Sequence, residues 1–276
     1  MDRGYQGARG AAEVRARLPV TAPGGTRSPV RLELLGGFAL LVDQQPVSVP
    51  AGSERVLAFV ALRRCRVPVP RRLIAGTLWP DAAEHCAYAN LRAALCRLGG
   101  EGRRALEISP TEVGLAAETT VDLHRARSLA RRALDDAPAP AYDLGLAAVA
   151  DLSADLLPGW YEDWLLSEAE EWRQLRLHAL EILAERFTTA RRHGEAVAAA
   201  HAAVLADPLR ESSRACLIRA HLAEGNPSEA MRDLRHYEQL LRRELGLRPT
   251  PWLNRLVAHA VAPPSHPGHA GRAEWE

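Results

Sequence analysis

Residues 30 to 120 set out short strands, three helices and a hairpin, in that order, and few folds accommodate it. "RLELL" and "FALLV" read as strands on either side of Gly36-Gly37; "DQQP" makes a turn and "VSV" alternates. "SERVLAFVALRR" is helical, with Ser53 placed to cap it and Val56, Leu57, Val60 and Ala61 at core spacing. "VPVP" breaks that helix. "RRLIAGTLW" makes a second one, with Leu73, Ile74, Thr77 and Leu78 inward, ended by Trp79-Pro80-Asp81. A third runs through "CAYANLRAALCRLGG", with Asp81 or Glu84 as its candidate cap. After "GGEGRR", the runs "ALEIS" and "EVGLA" meet around Pro110-Thr111 as a hairpin. That order predicts a winged helix, in which the third helix enters the DNA major groove and the hairpin lies beside the flanking backbone. Strands ahead of the first helix mark the variant found in response-regulator output domains.

The third helix carries the clearest functional signal. Ala87, Leu91, Ala94, Leu95 and Leu98 form its apolar stripe. At about 100° per residue, the opposite side holds His85, Cys86, Ala89, Arg92, Ala93, Cys96 and Arg97. A solvent face usually carries long charged side chains, yet this one is small in the middle with an arginine on either flank. Ala89 and Ala93 allow close approach to base edges. Arg92 and Arg97 lie about 140° apart in projection and so do not serve one base pair. Arg92, nearer the helix N-terminus, is the candidate for a guanine edge and Arg97 for a phosphate. His85 and Asn90 join from the edges. Arg71 and Arg72 open the second helix, where free backbone N–H groups also favour phosphate. Arg55 is similarly placed in the first helix, and Arg103 and Arg104 lead into the wing. The competing readings are an ordinary solvated face, or a protein–protein seam lined by small residues.

Charge supports a local DNA-binding surface and no global one. The 276 residues carry a formal net charge of +1, but between Pro50 and Arg104 ten arginines face four acids. The chain has no lysine. Cys65, Cys86, Cys96 and Cys216 form no C-x-x-C pair, so neither a zinc site nor a disulfide framework is indicated. Cys86 and Cys96 stand about 15 Å apart along one helix, too far to bridge. No metal or cofactor is expected. No apolar run approaches the roughly 18 residues of a membrane span, and the N-terminus has no apolar signal core. A cytoplasmic, nucleoid-associated protein without membrane partners is the expectation. No G-x-S-x-G, H-E-x-x-H or phosphate loop is present, and His178, His193 and His201 read as ordinary surface or core residues, so catalysis is not expected.

From Val121 to Val261 the text is helical. "VDLHRARSLARRALDDA" is amphipathic; breaks follow at "PAP", Leu157-Pro158-Gly159, His193-Gly194, Asp207-Pro208 and Gly225-Asn226-Pro227. Glu195-Ala196 aligns with Glu229-Ala230 at a shift of 34 residues, the period of tetratricopeptide helix pairs. Leu180, Leu183, Ala184, Phe187, Ala196, Ala203 and Pro208 fit the first unit. The second is looser: Leu217, Ile218, Gly225, Ala230 and Leu234 fit, while His221 and Arg242 occupy the aromatic and proline slots. The expected architecture is α-rich, in two domains: a winged helix-turn-helix (α+β) over residues 30–120 and an all-α tetratricopeptide-like domain over 121–261. Tails over 1–29 and 262–276 read as disordered.

Six fragments in order, "RLELLGGFALLVDQQPVSV", "RRLIAGTLWPD", "ANLRAALCRLGG", "VDLHRARSLARRAL", "DLLPGWYEDW" and "LLRRELGLRPTPWLNRL", resemble the antibiotic regulatory protein (SARP) family of transcriptional activators. The resemblance spans roughly residues 30 to 260. It implies an OmpR-type winged helix joined to a bacterial transcriptional activation domain. Such proteins bind direct repeats near the −35 region as side-by-side protomers and recruit RNA polymerase holoenzyme, commonly at biosynthetic gene clusters. By position, Ala89 to Leu98 is the recognition helix and Leu106 to Ala116 the wing. Trp160, Tyr161 and Trp164 are candidate anchors for polymerase or a second protomer, with packing against the helical stack as the alternative. Two departures stand out. The chain has no G-x-x-x-x-G-K-[ST] loop, so it reads as a short form without the nucleotide-binding domain of larger relatives. The wing is acidic at Glu107, Glu112 and Glu118, where phosphate contact favours basic residues. That second departure sustains a rival reading, an interaction scaffold whose winged helix no longer binds DNA.

Overall fold

The computed structural model describes residues 29–63, 67–135 and 145–261, with side chains to Ala258. The expected tails, the "PAP" break and Cys65 lie outside the described residues. The first part runs β1 (Val30–Glu33), β2 (Ala39–Val42), β3 (Gln45–Pro46), α1 (Ala51–Leu62), β4 (Val69–Pro70), α2 (Arg71–Leu78), α3 (Glu84–Arg97), α4 (Gly99–Arg103), β5 (Leu106–Ile108), β6 (Glu112–Leu115) and β7 (Thr119–Val121). The second is helical: α5 (Asp122–Leu134), α6 (Leu146–Ser153), α7 (Asp163–Thr189), α8 (His193–Ala206), α9 (Glu211–Glu224), α10 (Pro227–Leu245) and α11 (Pro251–Val261).

Two small sheets frame the three helices. The first has the order β3-β2-β1-β7, with β1 antiparallel to β2 and parallel to β7. Val30 and Leu32 of β1 are buried while Arg31 and Glu33 are half-buried, the period-2 signature of a strand with one face on the core. Asp43 and Gln44 both have positive φ (54° and 63°) and close the β2–β3 hairpin, as a two-residue turn of that hand requires. "VSV" is not a strand: after Pro46 only Val47 N reaches back, to Leu40 O at 2.8 Å, before the chain turns into α1. The second sheet, β4-β6-β5, is the wing with one added strand. β4 lies in the "VPVP" break, where Val69 pairs with Val113.

Tertiary packing adjusts the helix ends. α1 starts at Ala51 behind Pro50 with no side-chain cap. Ser53 is inside it, fully buried, and its Oγ donates to Ala94 O of α3 at 2.8 Å. No side chain caps α3 either, so neither Asp81 nor Glu84 has that role. In α2 the inward residues are Ile74, Ala75 and Leu78; Leu73 is 48% exposed and Thr77 half-buried. "GGEGR", whose two leading glycines read as the end of the third helix, forms the separate short helix α4. Its Gly102 is buried where a Cβ would come within 3.3 Å of Val49, so only glycine fits without a shift.

In the helical part, α7 packs on α8, α8 on α9 and α9 on α10. Leu180, Leu183, Ala184 and Phe187 of α7 and Ala196, Ala199, Ala200 and Ala203 of α8 are all buried. The alanines let the two helices approach closely, and each buried leucine contributes roughly 1.5–3 kcal/mol. Gly225 ends α9 at φ 89° and Pro227 opens α10, the usual placement of these residues at a helix stop and start. Ala215, Ile218, Ala230, Tyr237, Leu241, Leu253 and Val257 close the far end.

The two parts share one hydrophobic core. β7 passes directly into α5, whose first residue, Asp122, accepts from the backbone N–H groups of Leu34 (2.9 Å), Leu35 (3.0 Å) and Leu123 (2.6 Å). Leu157 N donates to Leu34 O and Gly36 N to Asp155 O, both at 2.8 Å. Among the described residues, no group of three or more His, Cys, Asp and Glu side chains is arranged to hold a metal ion, and no helix is long and apolar enough to cross a membrane.

Candidate nucleic-acid interface

α3, the candidate reading helix, is built from beneath. Ala87, Leu91, Ala94, Leu95 and Leu98 are buried, and the Ser53–Ala94 hydrogen bond pins α3 to α1. On the outer side His85, Cys86, Ala89, Asn90, Arg92, Cys96 and Arg97 are exposed and Ala93 is half-buried. The middle of that face is a shallow floor of methyl groups with a guanidinium on either flank. His85 Nε2 lies 3.2 Å from Cys86 Sγ at the N-terminal edge. Cys96 is an exposed free thiol on the same helix.

The flanking arginines separate into two groups. Arg72 and Arg103 are exposed. Arg71 N donates to Thr111 O at 2.8 Å, which sets the start of α2 beside the turn of the wing. The Arg71 Nε is buried without a hydrogen-bond partner. Arg104 is paired with Glu101 at 2.8 Å. Arg55 lies elsewhere. Its Nη2 donates to Leu78 O and to Glu162 Oε2, both at 2.7 Å, in the seam between the two parts of the molecule.

The wing is tight. Ser109 N donates to Glu112 O at 2.9 Å, and Ser109 Oγ accepts from Glu112 N at 2.9 Å, with Pro110 in the turn between them. Glu107 is exposed and Glu112 half-buried. Glu118 is not on the hairpin; it stands in the turn between β6 and β7.

Trp160 and Trp164 fill the seam. Trp160 stacks on Phe38 at 6.1 Å and meets Trp164 edge-on at 6.5 Å; Trp164 meets Phe59 edge-on at 5.4 Å and donates from Nε1 to Glu162 at 3.2 Å. They pack against Phe38, just ahead of β2, and Phe59 of α1, not against the helical stack alone, whereas Tyr161 is 88% exposed. The sequence suggests a cap role for Ser53 and gives no role to Asp122 or Glu162. Each is polar, and each has its partner far along the chain.

Regulatory protein AfsR of Streptomyces coelicolor is 30% identical to this chain over 250 residues, which is 82% of the chain and 24% of AfsR. The chain thus spans about a quarter of that relative's length. Among solved structures, Mycobacterium tuberculosis EmbR in complex with a low affinity phosphopeptide matches with a TM-score of 0.60 at 23% identity. That match covers 84% of this chain and 65% of the EmbR chain, and at such identity it is a likeness of fold. The model of the bacterial transcriptional activator domain matches residues 121–260, the helices from α5 to α11. With a winged helix ahead of that match and the AfsR likeness running through both parts, the chain belongs to the bacterial transcriptional activator domain family, in the SARP-type arrangement that its sequence resembles.

Proposed function

We propose that this chain is a sequence-specific DNA-binding activator. It binds direct repeats near the −35 region as side-by-side protomers and recruits RNA polymerase holoenzyme, in the cytoplasm at the nucleoid, at a biosynthetic gene cluster. The observation that carries this reading is the outer face of α3, a low alanine floor between Arg92 and Arg97 on a helix fixed from below by Ser53 and the apolar stripe. Ala89 and Ala93 leave room for base edges, Arg92 has the reach for a guanine, and His85 and Asn90 border it. Arg97, Arg72, Arg71 and Arg103 supply phosphate contacts, which add affinity and salt dependence without sequence preference. Arg104, already paired with Glu101, contributes less. Of Trp160, Tyr161 and Trp164, Tyr161 is the exposed one and is available to polymerase or to a second protomer.

Footprinting on promoters adjoining the gene, with and without holoenzyme, tests the proposal. The expected result is two protected segments one helical turn apart, strengthened by polymerase. The acidic wing, Glu107 and Glu112, favours a second reading, an interaction scaffold that does not bind DNA. The double variant Arg92→Ala/Arg97→Ala separates the two: an activator loses promoter activity in vivo and a scaffold keeps its function.

A further inference from the structure

One guanidinium ties the reading helices to the helical stack. Arg55 of α1 donates through Nη2 to Leu78 O, the last carbonyl of α2, and to Glu162 Oε2, in the residue just ahead of α7. Trp164 Nε1 donates to the same Glu162 oxygen. The guanidinium carbon sits 5.8 Å from the centre of the Trp79 ring, at the residue that ends α2. The Arg55 and Glu162 side chains are 26% and 29% exposed, so solvent screens the pair only in part. Arg55 Nε is buried and has no partner of its own.

Only residues 79–83 separate α2 from α3, and they are braced by Trp79 N to Ala75 O (3.1 Å) and Ala82 N to Trp79 O (3.2 Å). Whatever holds the last carbonyl of α2 therefore holds the start of α3. We infer that Glu162 is a positioning residue for DNA recognition: from the helical stack it fixes Arg55 against Leu78 O and so sets the angle at which α3 meets the duplex. This rests on the DNA-reading role proposed for α3. Base-edge hydrogen bonds require placement to about 0.5 Å, whereas phosphate contacts follow charge and tolerate small rotations. Releasing Arg55 therefore erodes cognate binding and spares binding to random sequence.

The test uses the full chain with Glu162→Gln, Arg55→Ala and the two combined. The aromatic contacts of Phe38 and Phe59 with the two tryptophans remain in all three, and circular dichroism with thermal melting checks the fold. Cognate affinity is expected to fall about threefold to thirtyfold. Random-duplex affinity and the salt slope stay unchanged, and the combined variant falls no further than Arg55→Ala alone. Unchanged cognate affinity overturns the inference, as does a parallel loss on cognate and random duplex with a lowered Tm. A wild-type chain with no preference for a direct repeat refutes the DNA-reading role instead, and amide exchange then decides whether Glu162 positions α3 at all. Faster exchange over residues 79–87 in Glu162→Gln, with α8 and α9 unaltered, supports it; identical exchange overturns it.

Discussion

Arg176 and Asp155 form a pair whose two halves differ sharply in surroundings, and that asymmetry has a measurable sign. The Arg176 side chain is 2% exposed and Asp155 is 66% exposed. Arg176 Nη2 donates to Asp155 Oδ1 and Nη1 donates to Ser153 O at 2.7 Å, while Nε is buried without a partner. Burial pulls the Arg176 pKa down, against the pull of the Asp155 charge. Asp155→Ala strands a buried cation with one carbonyl for company. A fully buried pair broken this way costs about 3–5 kcal/mol, and because Asp155 is mostly in water the expected loss is nearer about 2 kcal/mol. Arg176→Met removes the buried charge, leaves Asp155 in solvent, and orphans only Ser153 O, so it stays within about 1 kcal/mol of wild type. In urea unfolding of the full chain the midpoint shift should therefore be larger for Asp155→Ala at constant m. The matching drop in Tm is roughly 4–8 °C. Arg176→Met losing as much stability as Asp155→Ala, or more, would refute the reasoning, since the pair would then be worth its Coulomb attraction and not its desolvation.

Four further outcomes are expected. Arg92→Ala should cost about 1–3 kcal/mol on the cognate duplex and relax preference at one position. Arg97→Ala should weaken all duplexes alike and lower the salt slope by about 0.9, so identical slopes in gel shifts across a salt series would reject the division of roles. Burial pushes the Glu181 carboxyl up, but hydrogen bonds from Arg210, Ser213 and Ser212 outweigh it and hold the pKa below its ordinary 4.5. The unfolded chain then binds the proton more readily, so stability from Glu181 is complete above the ordinary carboxylate range and is lost as pH falls below it. Tm measured from about pH 5 downward should fall less steeply in Glu181→Gln than in wild type. Burial pushes the Cys216 thiol up to about 12, whereas Cys86 and Cys96 are exposed. Brief alkylation of the native protein, read by mass spectrometry, should label those two and spare Cys216; prompt labelling of Cys216 would show that α9 opens.

What was legible in the sequence was local and periodic. The buried stripe of α3 could be read because Leu91, Leu95 and Leu98 repeat at helical spacing, and the same spacing places Ala89, Ala93, Arg92 and Arg97 on the other side. The tetratricopeptide-like positions of α7 and α8 were visible for the same reason. What was missed depends on partners distant in sequence. Ser53 resembles a cap because serine at a helix start usually is one, yet Pro50 has already opened α1 and the hydroxyl turns to Ala94, 41 residues on. Arg55 looks like a phosphate ligand until Glu162, 107 residues away, is brought beside it. β4 is a strand only because β6 lies alongside, and the two prolines of "VPVP" read as a break instead. Glycines argue against a helix at residues 99–103 by propensity; crowding by Val49 and Leu40 explains why glycine stands at 102 all the same.

Val121 and Asp122 are consecutive, so strand gives way to helical stack with no residue to spare for a hinge. Hydrogen bonds from Leu34, Leu35, Gly36 and Leu157 then fasten the junction. On the proposed role of α3 as the groove-reading helix, a stack joined in this way takes its heading from that helix, and the duplex becomes a protractor for everything attached to it. On the proposed direct repeat with half-sites one turn apart, about 10.5 base pairs, two copies would point their stacks the same way and present one continuous surface. Half a turn of extra DNA swings one stack through about 180° and splits that surface in two. A promoter bound in the proposed manner would decide, through nothing more than the distance between its repeats, which of these its neighbours meet.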